Sequence, residues 1–154
     1  MEIKFKKLVP EAVIPQRANP TDAGLDLIAT SQKAEMCKNE DGTEHSRDVS
    51  FIEYGTGLAV EIPEGYVGLL FPRSSVTNKQ MMLKNSVGVI DSGYRGEIRA
   101  RFMCADKEEK HYHYSVGEKV AQLLIVPIAL PNPVEAEELS DTSRGEGGFG
   151  STGK

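Results

Sequence analysis

The chain has no tryptophan, only two cysteines and three histidines, and aromatic residues make up 6% of its 154 positions. The cysteines, Cys37 and Cys104, stand far apart with no C-x-x-C spacing, which excludes a disulfide scaffold and a cysteine-built zinc site and fits free thiols in a reducing compartment. His111 and His113 in "HYH" lack a further ligand at metal-binding spacing and read as a solvent-facing pair. No long apolar run occurs, so neither a signal peptide nor a membrane anchor is expected, and the chain is expected to be cytoplasmic. A basic excess is missing too. The formal net charge of −5 argues against a protein that binds nucleic acid through its backbone charge.

What remains has the composition of a globular domain, 39% apolar and 27% charged, with a length that suits one core. Alternation marks strands in "EIKFKKLV", "TGLAVEIP" and "GEIRARFM"; the last sets Ile98, Ala100 and Phe102 on one face and Arg99 and Arg101 on the other. "YVGLLFP" and "VAQLLIVPI" are unbroken apolar runs of strand length, as expected of deeper strands. Gly and Pro punctuate the chain at "NPTDAG", "IPEGY", "DSGYRGE" and "LPNP". Many short strands between turns predict an all-β sandwich or barrel. A short helical turn is expected after "FPRSS", N-capped by Ser74 or Ser75, and residues 31–48, polar and aperiodic, read as a long surface excursion. "MM" at 81–82 reads as core or interface rather than as part of a cofactor site. Two units are expected: a β domain over 1–137 and a polar, then glycine-rich, arm over 138–154 that cannot bury a core of its own.

The final "GGFGSTGK" matches the phosphate-loop pattern G-x-x-x-x-G-K, but no apolar strand precedes it and no Ser/Thr or helix follows Lys154. The mechanism of that motif needs all three, so the match is rejected. "PRSS" likewise lacks the G-x-S-x-G context of a serine nucleophile. Chemistry concentrates instead in five segments: "DAGLDL" (22–27), "PRSS" (72–75), "NSVGVIDSGYRGE" (85–97), "GEKVAQ" (117–122) and "RGEGGFGSTG" (144–153). Each alone reads as an ordinary turn or strand end. Together they supply acceptors for a hydrated divalent cation (Asp26, Gln122) and cations and hydroxyls for phosphates (Arg73, Ser74, Ser75, Arg144, Ser151, Thr152). They add a carboxylate that can orient water (Asp91) and two aromatics for a base or sugar (Tyr94, Phe149).

In this order the five segments resemble the homotrimeric dUTPases, and the match spans most of the chain. The resemblance implies a single jelly-roll (β-clip) domain, active sites shared within a homotrimer, and a mobile C-terminal arm that closes a site. It implies hydrolysis of dUTP to dUMP and pyrophosphate, which limits uracil incorporation into DNA and supplies the dTMP precursor. Carried over position by position, Asp91 would activate the water that attacks the α-phosphorus in line. Asp26 and Gln122 would hold Mg²⁺ through its waters, and Arg73, Ser74 and Ser75 would contact phosphates. Asn85, with the backbone of Val89, Ile90 and Arg99, would read uracil in a β-hairpin slot, and Tyr94 would pack on the deoxyribose. In the arm, Phe149 would stack on uracil with Gly150 beside it, while Arg144, Ser151 and Thr152 would clamp the outer phosphates. Two positions depart from the family pattern: Ser75 stands where glycine is common, and Lys119 where arginine is usual. Two further readings are a dCTP deaminase-like enzyme on the same fold and a nucleotide-switched module with a regulatory protein partner.

Overall fold

The computed structural model describes residues 1–38, 42–104 and 113–148, the side chains of 44–48 and of Cys104 excepted. The expected arm residues Phe149, Gly150, Ser151 and Thr152, and His111, lie outside them. Strands are β1 (Lys4–Lys7), β2 (Leu25–Ile28), β3 (Ser31–Lys38), β4 (Glu44–Gly55), β5 (Leu58–Glu61), β6 (Tyr66–Pro72), β7 (Met81–Leu83), β8 (Gly88–Ile90), β9 (Arg99–Cys104) and β10 (Lys119–Pro127). A 3₁₀ turn over Ser74–Asn78 is the one helical element among the described residues, and no helix there is long and apolar enough to cross a membrane.

The strands form two four-stranded antiparallel sheets, β2-β10-β6-β8 and β3-β4-β9-β7, with β1 and β5 paired separately. This is the all-β fold that the alternation and turn spacing anticipate, in the jelly-roll form that the resemblance implies. The continuous apolar runs become β6 and β10, the two inner strands of one sheet, as burial on both faces requires. Leu27, Leu70, Ile90 and Leu123 from that sheet meet Ile52, Tyr54, Met81, Leu83, Ala100 and Phe102 from the other in one core. Tyr54, Phe102 and Tyr114 pack edge to face or tilted, with ring centroids 5.6–6.0 Å apart, an arrangement that adds to area burial. Of the methionine pair, Met81 is core and Met82 faces out.

Three expectations are corrected. Residues 31–48 are no loose excursion: β3 and β4 pair antiparallel from Ser31↔Gly55 to Lys38↔Glu44, with register shifts around Met36. Ser31–Ala34 are exposed on both faces, so no core side exists to impose alternation on the sequence. The 3₁₀ turn begins at Arg73, which holds the cap position in extended conformation (φ −84°, ψ 158°) without a side-chain cap bond, so neither Ser74 nor Ser75 serves as N-cap. Segment 85–97 is not a paired hairpin either. β8 bonds to β6 in one sheet while β9 bonds to β4 and β7 in the other, so the chain arches from sheet to sheet and leaves a gap beneath the arch.

Candidate active site

The arch encloses a cavity of about 830 Å³. Asn85, Val89, Ile90, Asp91, Tyr94 and Arg99 line it, so the base, sugar and water-activating positions named from sequence do come together. A tight turn after β7 presents Asn85: Val87 N–H donates to Asn85 O at 2.6 Å, and Ser86 takes a positive φ of 61°. Asp91 sits at the end of β8, where a turn closes with Tyr94 N–H donating to Asp91 O at 3.0 Å. The Tyr94 hydroxyl donates to Glu97 O at 3.0 Å, and its ring lies over Gly96 so closely that a β-carbon there would run into it.

Sequence reasoning missed the wall opposite. Glu53 accepts from Arg99 Nη1 at 3.2 Å and from Arg101 Nε at 2.8 Å. Glu97 accepts from Arg99 Nε and from Gly57 N–H, both at 2.8 Å. The Arg99 side chain is thus committed to two carboxylates. The Glu97 pair also raises the Arg99 pKa, with Glu53 adding to it. Phe51 sits under Lys84 Nζ and the Arg101 guanidinium, each 4.8 Å from its ring. The signal was the β4 alternation, Phe51 and Glu53 out against Ile52 and Tyr54 in, with Glu53 directly across from Arg101.

A second cavity of about 330 Å³ is lined by Asp22, Gly24, Asp26, Arg73, Ser74 and Gln122, with Ala18 and Ala23. It shares no lining residue with the first. The strands explain the gathering: Gln122 of β10 lies opposite Asp26 of β2, and Arg73 follows the end of β6. Asp26 Oδ1 accepts from Arg73 Nε and Oδ2 pairs with Lys119 Nζ, both at 2.8 Å. Lys119, where the family pattern has arginine, therefore keeps the ion pair. Burial pushes the Asp26 pKa up, but Lys119 and Arg73 outweigh it and hold the carboxyl below its ordinary value. Asp22 is a turn residue, accepting from the backbone and side chain of Asn19 at 2.9 Å.

Ser75, one residue beyond Ser74, is half-buried and lines neither cavity; Arg144 lines neither and brackets its own turn, donating to Gly147 O at 2.9 Å. Among the described residues no three His, Cys, Asp or Glu gather to cage a metal ion. The second cavity suits a hydrated cation instead. Gln122 Nε2 donates to Pro72 O at 3.0 Å, which turns Oε1 toward the space kept open by Gly24 as a free acceptor for a metal-bound water.

The dUTPase family model matches residues 10–153. A deoxyuridine 5'-triphosphate nucleotidohydrolase of Rhodococcus erythropolis is 38% identical over 99% of this chain and 87% of its own. One of Hydrogenobaculum sp. is 38% identical over 99% of both. Among solved structures, a Staphylococcus bacteriophage 80alpha dUTPase with dUpNHpp superposes with a TM-score of 0.77 at 32% identity, over 99% of each chain. A mutant dUTPase from phage phi11 of S. aureus, described for its coordination of a structural Mg(II) ion, gives 0.68 at 28% identity, over 90% of this chain and 98% of that one.

Proposed function

The chain belongs to the dUTPase family and is a dUTP diphosphatase, and on that premise we propose how its own residues divide the work of converting dUTP to dUMP and pyrophosphate. One observation carries the proposal: a single cavity collects Asn85, Val89, Ile90, Asp91, Tyr94 and Arg99. Uracil enters between Asn85 and the backbone of β8 and Arg99. Fixed donors and acceptors in a narrow slot leave cytosine mispaired, and rejection through unpaired buried polar groups is stronger than rejection through a missing contact. The same backbone walls would exclude the thymine methyl sterically. Tyr94, fixed by Glu97 O and Gly96, packs against the deoxyribose where a 2′-hydroxyl would collide.

Asp91 accepts the proton of the water that attacks the α-phosphorus in line. Arg73, Ser74 and Ser75 hold the phosphates, and Arg73 is aimed by its bond to Asp26. Asp26 and Gln122 would hold Mg²⁺ through its coordinated waters. When bound, the ion neutralises charge on the phosphate oxygens. Arg144, Phe149, Gly150, Ser151 and Thr152 belong to the arm that covers the bound nucleotide, excluding water and adding affinity without choosing the base. Because the slot and the phosphate cavity share no lining residue on one chain, we propose that a complete site joins the slot of one copy to the phosphate cavity of another, in a homotrimer.

The test is pyrophosphate release from dUTP, dTTP, dCTP and UTP, with Mg²⁺ and with EDTA, for the wild type and for Asp91→Asn. Metal-dependent release from dUTP alone is expected. Asp91→Asn should lower kcat by about 10²–10⁴-fold while nucleotide binding survives. Ammonia release from dCTP would overturn the base assignment, and an active Asp91→Asn would overturn the role of Asp91.

A further inference from the structure

Tyr114 belongs to no part of the mechanism above, and its position is unusual. It is 2% exposed, and its hydroxyl is buried with no hydrogen-bond partner among the described residues, a condition that folded proteins seldom leave unused. The rest of the residue is fixed on every side. Its backbone N–H donates to the Tyr54 hydroxyl at 3.1 Å, and its ring meets Tyr54 and Phe102. Lys79 Nζ lies 5.0 Å from the ring centroid and also pairs with Glu118 at 3.2 Å. Lys79 is the residue that closes the 3₁₀ turn, its N–H donating to Val76 O at 2.9 Å. The turn that carries Ser74 and Ser75 is therefore seated on the Tyr114 ring. Burial pushes the pKa of this hydroxyl up and Glu118 adds to the rise, while the Ser75 side chain and Arg73, both from the proposed phosphate-binding segment, pull it down.

Resting on the phosphate role of Arg73, Ser74 and Ser75, we propose that Tyr114 is a positioning residue for this loop. In the loaded site its hydroxyl donates to Ser75 Oγ, leaving the Ser75 proton to be donated to a phosphate oxygen. A serine hydroxyl has one donor and two acceptor sites, so it can take both bonds at once. A donor behind it polarises the outgoing bond in a poorly solvated setting. The residue at position 75 then has a reason: glycine, common there in the family, would leave the Tyr114 hydroxyl buried with nothing to bond, whereas serine completes the pair.

The experiment measures kcat and KM for dUTP, affinity for dUpNHpp by calorimetry, and Tm, in wild type, Tyr114→Phe, Ser75→Ala and the double variant. Tyr114→Phe keeps the ring contacts and removes one oxygen. KM and the analogue Kd should both rise about 5–10-fold with kcat little changed, since a bond made equally to bound substrate and transition state is lost. Tm should hold or rise, because an unpartnered buried group has gone. Ser75→Ala should weaken binding by at least as much, and the double variant no more than Ser75→Ala alone, the non-additivity expected of two groups acting in series. A Tyr114→Phe enzyme with wild-type KM and Kd, or losses that add in the double variant, would overturn the inference. So would wild-type KM with a fallen Tm, which would assign the hydroxyl to stability. If Ser75→Ala keeps wild-type affinity, the phosphate role of Ser75 itself fails, a result separable from loss at Tyr114 alone.

Discussion

At the scale of single residues, Asp26 concentrates the electrostatics of the second cavity. Its side chain is 12% exposed, and each oxygen faces one cation, Arg73 or Lys119. Desolvation works against the charged form, and the two cations more than offset it, so the folded-state pKa lies below the ordinary carboxylate value. A depressed pKa contributes stability that is complete above the unfolded value, near 4, and is lost as pH falls through the folded value. Glu118 titrates in the same window, held low by the Ser115 N–H and by Lys79 against the opposing effect of burial. The difference between two proteins therefore isolates Asp26. Asp26→Asn should lose about 1–3 kcal/mol at pH 7, because Arg73 and Lys119 are left facing a neutral amide. That deficit should begin to shrink below about pH 4, where the carboxyl of the unfolded chain takes up its proton, and go on shrinking until the folded carboxyl, held lower, is neutral as well. Thermal melts of both proteins from pH 7 to pH 3 check this; a constant gap would mean that the ion pair contributes nothing to the fold.

At the scale of elements, the arch between β8 and β9 frames the proposed base slot, and it shows how far the sequence could be read. Strict alternation in β9 named its buried face, Ala100 and Phe102, and its charged face, Arg99 and Arg101, as the structure has them. The apolar runs of β6 and β10 declared inner strands. Which sheet each short strand joins was not legible. Gly88–Ile90 alternates equally well against β6 or β9, and only the packing of Ile90 into the core decides. Glu53 and Glu97 were illegible for another reason. Their roles lie in cross-strand and through-space pairing with Arg99, Arg101 and Gly57, distances that linear spacing does not encode. Asn85, Asp91 and Tyr94 could be named together because they stand in one contiguous segment, and the fold brings them to one cavity. Within the arch, Gly96 is small for a reason of space, since its φ demands nothing special: the Tyr94 ring occupies the place of a β-carbon. Gly96→Ala should push that ring outward and widen the sugar subsite. The expected outcome is a fall of about tenfold in the preference for dUTP over UTP, in ratios of kcat/KM, the range that one added or missing carbon produces in such pockets. Tyr94 is 46% exposed, so Tm should hardly move, and an unchanged sugar preference would remove Tyr94 from that role.

At the scale of the whole molecule, one chain keeps the two groups of proposed site residues in separate cavities. Asn85 and Asp91 line one cavity, Asp26, Arg73 and Gln122 line another, and no residue lines both. The segment after β10 adds to the argument for assembly, because Ile128, Leu130, Val134 and Leu139 are 40–89% exposed along it, more apolar surface than a single chain keeps bare on one strand of backbone without use. If a complete site takes its slot from one copy and its phosphate cavity from the next, two dead proteins can make a live one. Asp91→Asn keeps an intact phosphate cavity and a dead slot; Arg73→Ala keeps an intact slot and a crippled phosphate cavity. Each alone should be nearly inactive, since every site in its homotrimer contains the lesion. Co-expressed in equal amounts and assembled at random, they should give about a quarter of the sites two wild-type halves, and about a quarter of wild-type turnover should return. Mixing the two proteins after separate purification, without dissociation, should restore nothing, which separates assembly from a trace of contaminating wild type. If co-expression also restores nothing while mixed trimers are seen by native mass spectrometry, then slot and phosphate cavity serve the same site from the same chain, and assembly has no part in completing it.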